Sequence, residues 1–225
     1  NGKVSVPLVA RTPYGGGVRG ALYHSQSVEA MFAHTPGLKV VTPATPYDAK
    51  GLLKSAVRDD DPVIFLEHKR TYRLVKGEVP DDEYTVPLGK ADVKLEGEHI
   101  SVITYGLMVH HCLEAAHTLA DEGISVEVVD LRTVRPIDRE TVLGSVRKTG
   151  KALIVHEDNK TGGIGAEVSA IISEEELEPR TRRIFSLFST TLRDDFSTML
   201  EEQQRQLMVI TPTQVTSRLI VPGAR

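Results

Sequence analysis

Apolar and polar positions fall into alternating blocks along the chain, and the blocks have two different periods. Val4 to Ala10 is a short run rich in strand formers. It meets Thr12-Pro13-Tyr14-Gly15-Gly16-Gly17, a stretch whose proline and glycines predict a loop that no regular element tolerates. Ser27 to Ala33 carries helix-compatible apolar spacing, with Ser25 and Ser27 as candidate N-caps. Leu38 to Val41 predicts a strand ended by Pro43. Asp48 to Val57 sets Ala, Leu, Leu, Ala and Val on one face and predicts a helix. Pro62 to Leu66 is a compact apolar strand. Strands without polar alternation, separated by helices, predict a parallel sheet covered on both faces.

The rhythm then repeats. Ile100 to Thr104 predicts a strand and Gly106 a break. Met108 to Ala120 predicts a helix with Leu113, Ala116 and Leu119 or Ala120 inward. Val126 to Val129 and Ala152 to Val155 predict strands, and Arg139 to Val146 a helix between them. Gly162-Gly163-Ile164-Gly165 opens a helix through Ile172. Ile184 to Phe188 reads as one more strand, and residues 190–225 show no clear period. The fold class is therefore α/β. Lys76-Gly77-Glu78-Val79-Pro80-Asp81-Asp82-Glu83 is polar and broken by Gly and Pro, as an exposed crossing segment between two domains would be.

Composition narrows the function classes. The 225 residues suit one large or two small domains. An apolar fraction of 40% supplies a core and excludes a wholly disordered chain. No apolar run reaches the roughly 18 residues of a membrane span. Net charge is −4, without the basic excess of a nucleic-acid binder. The charge is uneven: residues 1–75 carry ten Lys/Arg against six Asp/Glu, and 76–225 seventeen against twenty-five. The single cysteine, Cys112, rules out an internal disulfide and a cysteine-built zinc site, and a reducing compartment fits. The chain opens at Asn1 rather than Met, which predicts a piece of a longer protein.

Among chemistry-bearing residues, Gly15 to Gly17 lacks the Gly-Lys-Ser/Thr of a phosphate-binding loop. Gly162 to Gly165 lacks the third glycine of a dinucleotide fingerprint. Both read first as tight turns, although free backbone N–H groups at a helix start can hold an anion. His24 follows the glycine loop and precedes a helix start, where an imidazole can meet a substrate and exchange protons near neutrality. His110 and His111 are adjacent on a helix and diverge, and His110 with Glu114 reads as a solvated face. Asp59-Asp60-Asp61 is a turn able to offer oxygen ligands to a cation. Cys112 has apolar helix neighbours and reads as buried and inert. Arg182-Arg183 is too short a basic patch for nucleic acid.

Several stretches in order carry a resemblance. They are Arg11-Thr12-Pro13-Tyr14-Gly15-Gly16-Gly17, Tyr23-His24-Ser25-Gln26-Ser27, Pro36-Gly37-Leu38-Lys39-Val40-Val41 and Thr45-Pro46-Tyr47-Asp48-Ala49-Lys50-Gly51-Leu52. Asp59-Asp60-Asp61-Pro62, Asp130-Leu131-Arg132-Thr133, Lys148-Thr149-Gly150, His156-Glu157 and Gly165-Ala166-Glu167 continue it. Over residues 1–176 the chain resembles the β subunit of the thiamine-diphosphate-dependent decarboxylating component of 2-oxo acid dehydrogenases. The form Leu22-Tyr23-His24-Ser25-Gln26-Ser27-Val28-Glu29-Ala30 is closer to the branched-chain 2-oxo acid enzymes than to animal pyruvate dehydrogenases.

The resemblance implies a fold and a chemistry. Residues 1–75 would be the last part of a pyrimidine-binding domain, 76–90 a linker, and 91–225 a transketolase C-terminal-type α/β domain with a mostly parallel sheet and a divergent tail from about 177. The implied activity is oxidative decarboxylation of a branched-chain 2-oxo acid with reductive acylation of a lipoyl domain. Pyruvate or acetoin dehydrogenase, a transketolase-like thiamine enzyme, and a non-enzymatic docking fragment are the alternatives. His24 would position and exchange protons with the substrate-derived group on the cofactor and assist acyl transfer. Ala56, Val57, Asp59 and Asp61 would hold potassium, mainly through backbone carbonyls. Thiamine diphosphate would be shared with an α subunit that holds its Mg2+ in an α2β2 heterotetramer. The family's other β-side cofactor contacts, including an activating glutamate, precede this stretch, so no cofactor-binding residue is assigned. That reading makes the chain N-terminally truncated and inactive alone. Further implied partners are the dihydrolipoyl acyltransferase core with its lipoyl domain and a small 2-oxo acid, with no nucleic acid and no membrane. The expected compartment is a bacterial cytoplasm, with an organelle matrix as the alternative.

Overall fold

The computed structural model describes residues 4–18, 24–176, 183–188, 208–211 and 214–216. Contacts divide the chain into two units. The first comprises residues 1–92, 105–107 and 130–138; the second comprises 93–104, 108–129 and 139–225.

In the first unit, β1 (Val9–Tyr14), β2 (Lys39–Val41) and β3 (Val63–His68) run parallel, and β7 (Thr133–Arg135) joins β2 antiparallel, giving the order β1-β3-β2-β7. The helices α1 (Glu29–Ala33), α2 (Pro46–Val57) and α3 (Thr71–Leu74) lie between these strands in sequence. The first strand differs from expectation. Val4, Val6 and Leu8 are 84, 50 and 57% exposed, and the strand runs instead through Thr12, Pro13 and Tyr14. Among the described residues β1 pairs with β3 alone, and Pro13 is tolerated because its missing N–H lies on the side away from β3; the neighbouring Tyr14 carbonyl is the one that faces β3 and accepts the Lys69 N–H. Tyr14 ends the strand buried, its ring edge-on to His68 at 5.2 Å.

Helix α2 begins two residues before the predicted Asp48. Thr45 caps it by accepting the Asp48 N–H at 3.1 Å, and Pro46 supplies a preset φ in the first turn. Its inner face puts Leu52 and Ala56 against Val41, Val63, Phe65 and Val86. Helix α1 is shorter than predicted. Neither Ser25 nor Ser27 caps it; the N-cap position is Val28, with no side-chain bond. The backbone before it is committed elsewhere, since the Gln26 carbonyl accepts the Gly15 N–H at 2.9 Å.

Residues 76–83 are exposed along their length. The chain then returns to α2: Tyr84 stacks on Tyr47 with centroids 4.5 Å apart, Glu83 pairs with Lys54 and Arg58, and the Ser55 hydroxyl donates to the Val86 carbonyl at 2.6 Å. Gly51 permits this approach, because a Cβ there would lie 2.5 Å from Val86 Cγ2.

The second unit is built on a seven-stranded sheet. Its strands are β4 (Asp92–Leu95), β5 (Ile100–Thr104), β6 (Val126–Asp130), β8 (Lys151–His156), β9 (Arg183–Phe188), β10 (Met208–Thr211) and β11 (Gln214–Thr216), in the order β11-β10-β9-β8-β5-β6-β4. Strands β5, β8 and β9 are mutually parallel and β9-β10-β11 antiparallel. The predicted strand at Ile184 to Phe188 is β9; Arg182 and most of the aperiodic tail lie outside the described residues. Helices α4 (Met108–Asp121), α5 (Arg139–Thr149) and α6 (Ile164–Glu176) complete the unit. In α4 the buried residues are Met108, Val109, Cys112, Ala115 and Ala116; of the predicted inward residues Ala116 is buried, Leu113 and Leu119 are half-buried and Ala120 is exposed. The Val109–Cys112–Ala116 stripe has the same helical period, with small side chains that suit a close approach to a sheet.

Candidate functional site

The chemistry-bearing residues of the first unit gather where β1 and β3 end. Ligands of open parallel sheets are met at the carboxyl ends of the strands. Here those ends are Tyr14-Gly15 and Glu67-His68. Gly15 and Gly17 adopt φ of +85° and +79°. The space their missing side chains leave is filled by the protein itself: a Cβ on Gly15 would run into the His68 imidazole, and one on Gly17 would lie 2.6 Å from Arg70 Cδ. The glycines thus serve close packing, and this loop is no cradle for a phosphate.

His24 lies beyond that loop, in a turn, and is exposed. Leu22 and Tyr23 of its motif fall outside the described residues. Two residues on, Gln26 ties the chain back to Gly15. Five residues on, Glu29 is fully buried and accepts a hydrogen bond from the Tyr105 hydroxyl at 2.9 Å. The loop carrying His24 is therefore anchored at its base and its imidazole faces solvent.

The four positions of the acidic turn are adjacent but differ in kind. The Lys39 ammonium bridges Asp59 at 2.7 Å and Asp61 at 3.1 Å. Hydrogen bonding to Lys39 holds the Asp59 carboxyl below its ordinary range against the opposing effect of burial. The side-chain oxygens already serve an internal cation, so a metal ion would have to use main-chain carbonyls. That of Ala56 accepts the Asp59 N–H at 3.3 Å.

The remaining candidates take their bland readings. Cys112 is 3% exposed, and burial pushes its thiol up to about 12. At the second glycine cluster, a Cβ on Gly163 would lie 3.1 Å from Asp158 Oδ2, so a buried carboxylate of the chain occupies the start of α6. Burial raises the Asp158 pKa. Among the described residues no group of three His, Cys, Asp or Glu side chains could hold a metal ion, and no helix is long and apolar enough to cross a membrane. A cleft of about 220 Å³ opens after β2 and β3, lined by Pro43, Ala44, Pro46, Glu67, Tyr72 and Val75. Glu67 at its rim is held by Arg11 at 2.7 Å and the Tyr72 hydroxyl at 3.0 Å.

Sequence reasoning passed over three residues of this unit. Glu29 is a charged residue fully buried in a helical turn. His68 ends an otherwise apolar strand. Arg132 has φ +55° and reaches Asp48 at 2.6 Å and Asp92 at 2.8 Å. Only the charge of Glu29, set among Val28, Ala30 and Phe32, was a readable signal.

Comparison with known proteins adds identity to this geometry. Residues 1–75 match the family model described as the transketolase pyrimidine-binding domain, and residues 89–210 that of the transketolase C-terminal domain. The chain is 66% identical over 174 residues to the 2-oxoisovalerate dehydrogenase subunit beta of Bacillus subtilis (strain 168), covering 77% of this chain and 53% of that one. It is 53% identical over 192 residues to the pyruvate dehydrogenase E1 component subunit beta of the same organism, covering 85% and 57%. The chain thus spans about half the length of these relatives. A solved structure described as a split gene transketolase, inactive beta4 tetramer, superposes with a TM-score of 0.68 at 26% identity, covering 88% of this chain and 62% of that one.

Proposed function

Since the chain belongs to the transketolase family, with the pyrimidine-binding and C-terminal domains in tandem, we propose that it is part of the β subunit of a branched-chain 2-oxo acid dehydrogenase. The observation that carries the reading is the 66% identity to a 2-oxoisovalerate dehydrogenase subunit, against 53% for a pyruvate dehydrogenase subunit. In this reading 1–75 is pyrimidine-binding, 76–90 the linker and 91–225 the C-terminal domain. The enzyme decarboxylates a branched-chain 2-oxo acid and passes the acyl group to a lipoyl domain. It works with an α subunit in an α2β2 assembly, beside an acyltransferase core, in a bacterial cytoplasm.

The family implies thiamine diphosphate. When bound, this group supplies the electron sink for decarboxylation. The described residues fit only part of it: the glycine loops are packed against the chain's own side chains, and this reading leaves the diphosphate and its Mg2+ to an α subunit. What this chain contributes is His24. Its exposed imidazole, on a loop tied down at Gly15 and Gln26, gives or takes a proton at the reacting centre and orients the substrate's oxygen. The test is lipoamide-dependent turnover of the assembled enzyme. His24→Ala should lower kcat by roughly two to four orders of magnitude, the usual worth of a general acid–base. Near-normal turnover removes His24 from the mechanism.

Potassium is proposed at Ala56, Val57, Asp59 and Asp61, through carbonyls, with Lys39 keeping the two carboxylates in place. Specific binding raises the melting temperature with concentration. A rise in KCl over choline chloride at equal ionic strength is expected, and equal melting in both salts rejects the site.

A further inference from the structure

The loop that carries His24 leaves the sheet at Gly15, and what lies beneath Gly15 is a second histidine. His68 ends β3 and is fully buried. It stands opposite Tyr14 in the β1–β3 register. The Lys69 N–H donates to the Tyr14 carbonyl at 3.1 Å, joining the two strand ends. The imidazole is latched in one rotation, because its Nδ1 accepts the Arg70 N–H at 3.2 Å. Its outer edge then meets Gly15 so closely that a Cβ there would overlap Nε2 and Cδ2. Gly15 is also the residue whose N–H closes the loop onto Gln26, two residues past His24.

We propose that His68 is a positioning residue whose imidazole, latched by the Arg70 N–H, is the floor that fixes the Gly15–Gln26 closure and so the place of His24. The proposal rests on the reading of His24 given above. The ring does two things at once: it accepts a main-chain N–H at Nδ1 and presents a flat edge to a glycine in the left-handed region. Asparagine can keep the first and loses the second. His68→Asn therefore separates the anchoring of β3 from the support of the loop. Gly15→Ala attacks the same contact from the other side, at the added strain of φ +85°.

The experiment has two readouts. In the chain itself, amide exchange of Gly15 should quicken about tenfold in His68→Asn, as expected when a local closure loosens, while the amides of β5 and β8 keep their rates. In the assembled enzyme, kcat should fall roughly tenfold to a hundredfold, the cost of a displaced catalytic group, with KM for the 2-oxo acid within about twofold. Gly15→Ala should lose more, and adding His68→Asn to it should restore part of the loss, since the second change makes room for the methyl. Where His68→Asn does not accumulate as folded protein, His68→Thr, whose short side chain keeps an acceptor near Nδ1 and withdraws the support from Gly15, takes its place. Unchanged Gly15 exchange, or strict additivity of the two substitutions, overturns the proposal whatever His24 does. Faster exchange with full turnover in His24→Ala overturns the role of His24 and with it the catalytic meaning of His68.

Discussion

Arg132 offers the sharpest test of how the first unit is held together. Its side chain is 13% exposed, and one guanidinium nitrogen reaches both Asp48, which is fully buried, and Asp92. Its own backbone sits at φ +55°, fixed by its N–H donating to Asp130 Oδ1 at 2.9 Å. Arg132→Ala leaves the Asp48 carboxylate buried without its cation. Breaking a buried ion pair costs about 3–5 kcal/mol. Asp48 keeps the Thr45 hydroxyl, which donates at 2.6 Å, and Asp92 is 37% exposed, so about 3 kcal/mol is the appropriate figure. For a chain of this size that is a drop in Tm of roughly 6–12 °C. Arg132→Gly removes the same charge but relieves the left-handed backbone, and should regain about 1 kcal/mol. The chain has no tryptophan, so far-UV circular dichroism is the suitable probe for both melts. A drop below about 2 °C for Arg132→Ala, or an Arg132→Gly no better than Arg132→Ala, refutes the reasoning.

Two further outcomes follow from the same structure. Burial lowers the His156 pKa to about 4, so in the folded chain it stays neutral while an unfolded histidine takes up a proton near pH 6.5. Its contribution, on the order of 3 kcal/mol, is present above pH 6.5 and is lost as pH falls toward 4. Asp158, whose pKa burial raises, opposes that loss at the acid end. His156→Gln should flatten the pH dependence of urea midpoints between pH 6.5 and 4, and an unaltered slope excludes His156 as its source. Gly51→Ala should destabilise the chain by about 1–2 kcal/mol despite alanine's higher helix propensity, because the methyl meets Val86 and Tyr84. A stabilised variant would mean that the 84–86 segment does not rest on α2.

Element type was readable wherever period and length agreed. Ile100–Thr104 appears with the predicted bounds, and α5, α6 and β9 lie where their apolar spacing put them. The failures share one cause, which is that partners far along the chain decide short elements. Pro13 reads as a breaker until β1 is known to pair, among the described residues, with β3 alone. Thr133–Arg135 is three residues ending before a proline, too short to show a period, and becomes a strand only by lying beside β2. The candidate site was legible in the same uneven way. His24 is announced by its glycine loop and its motif. His68 and Arg132 act through burial and distant partners, which no local pattern records.

The pairing of β7 with β2 has a consequence for how the chain is made. Val41 pairs with Thr133, so the first unit closes its sheet across some ninety intervening residues. Closing so long a loop costs roughly 4 kcal/mol of chain entropy. During synthesis the N-terminal strands leave the ribosome well before Asp130 to Asp138, and for that interval the outer edge of Lys39–Val41 has no strand beside it. An unpaired edge is a template for foreign strands. The first unit therefore stays unfinished until Asp130 to Asp138 emerge, after part of the second unit has been made, and its exposure to misassembly is set by the time taken to translate the segment between Val41 and Thr133.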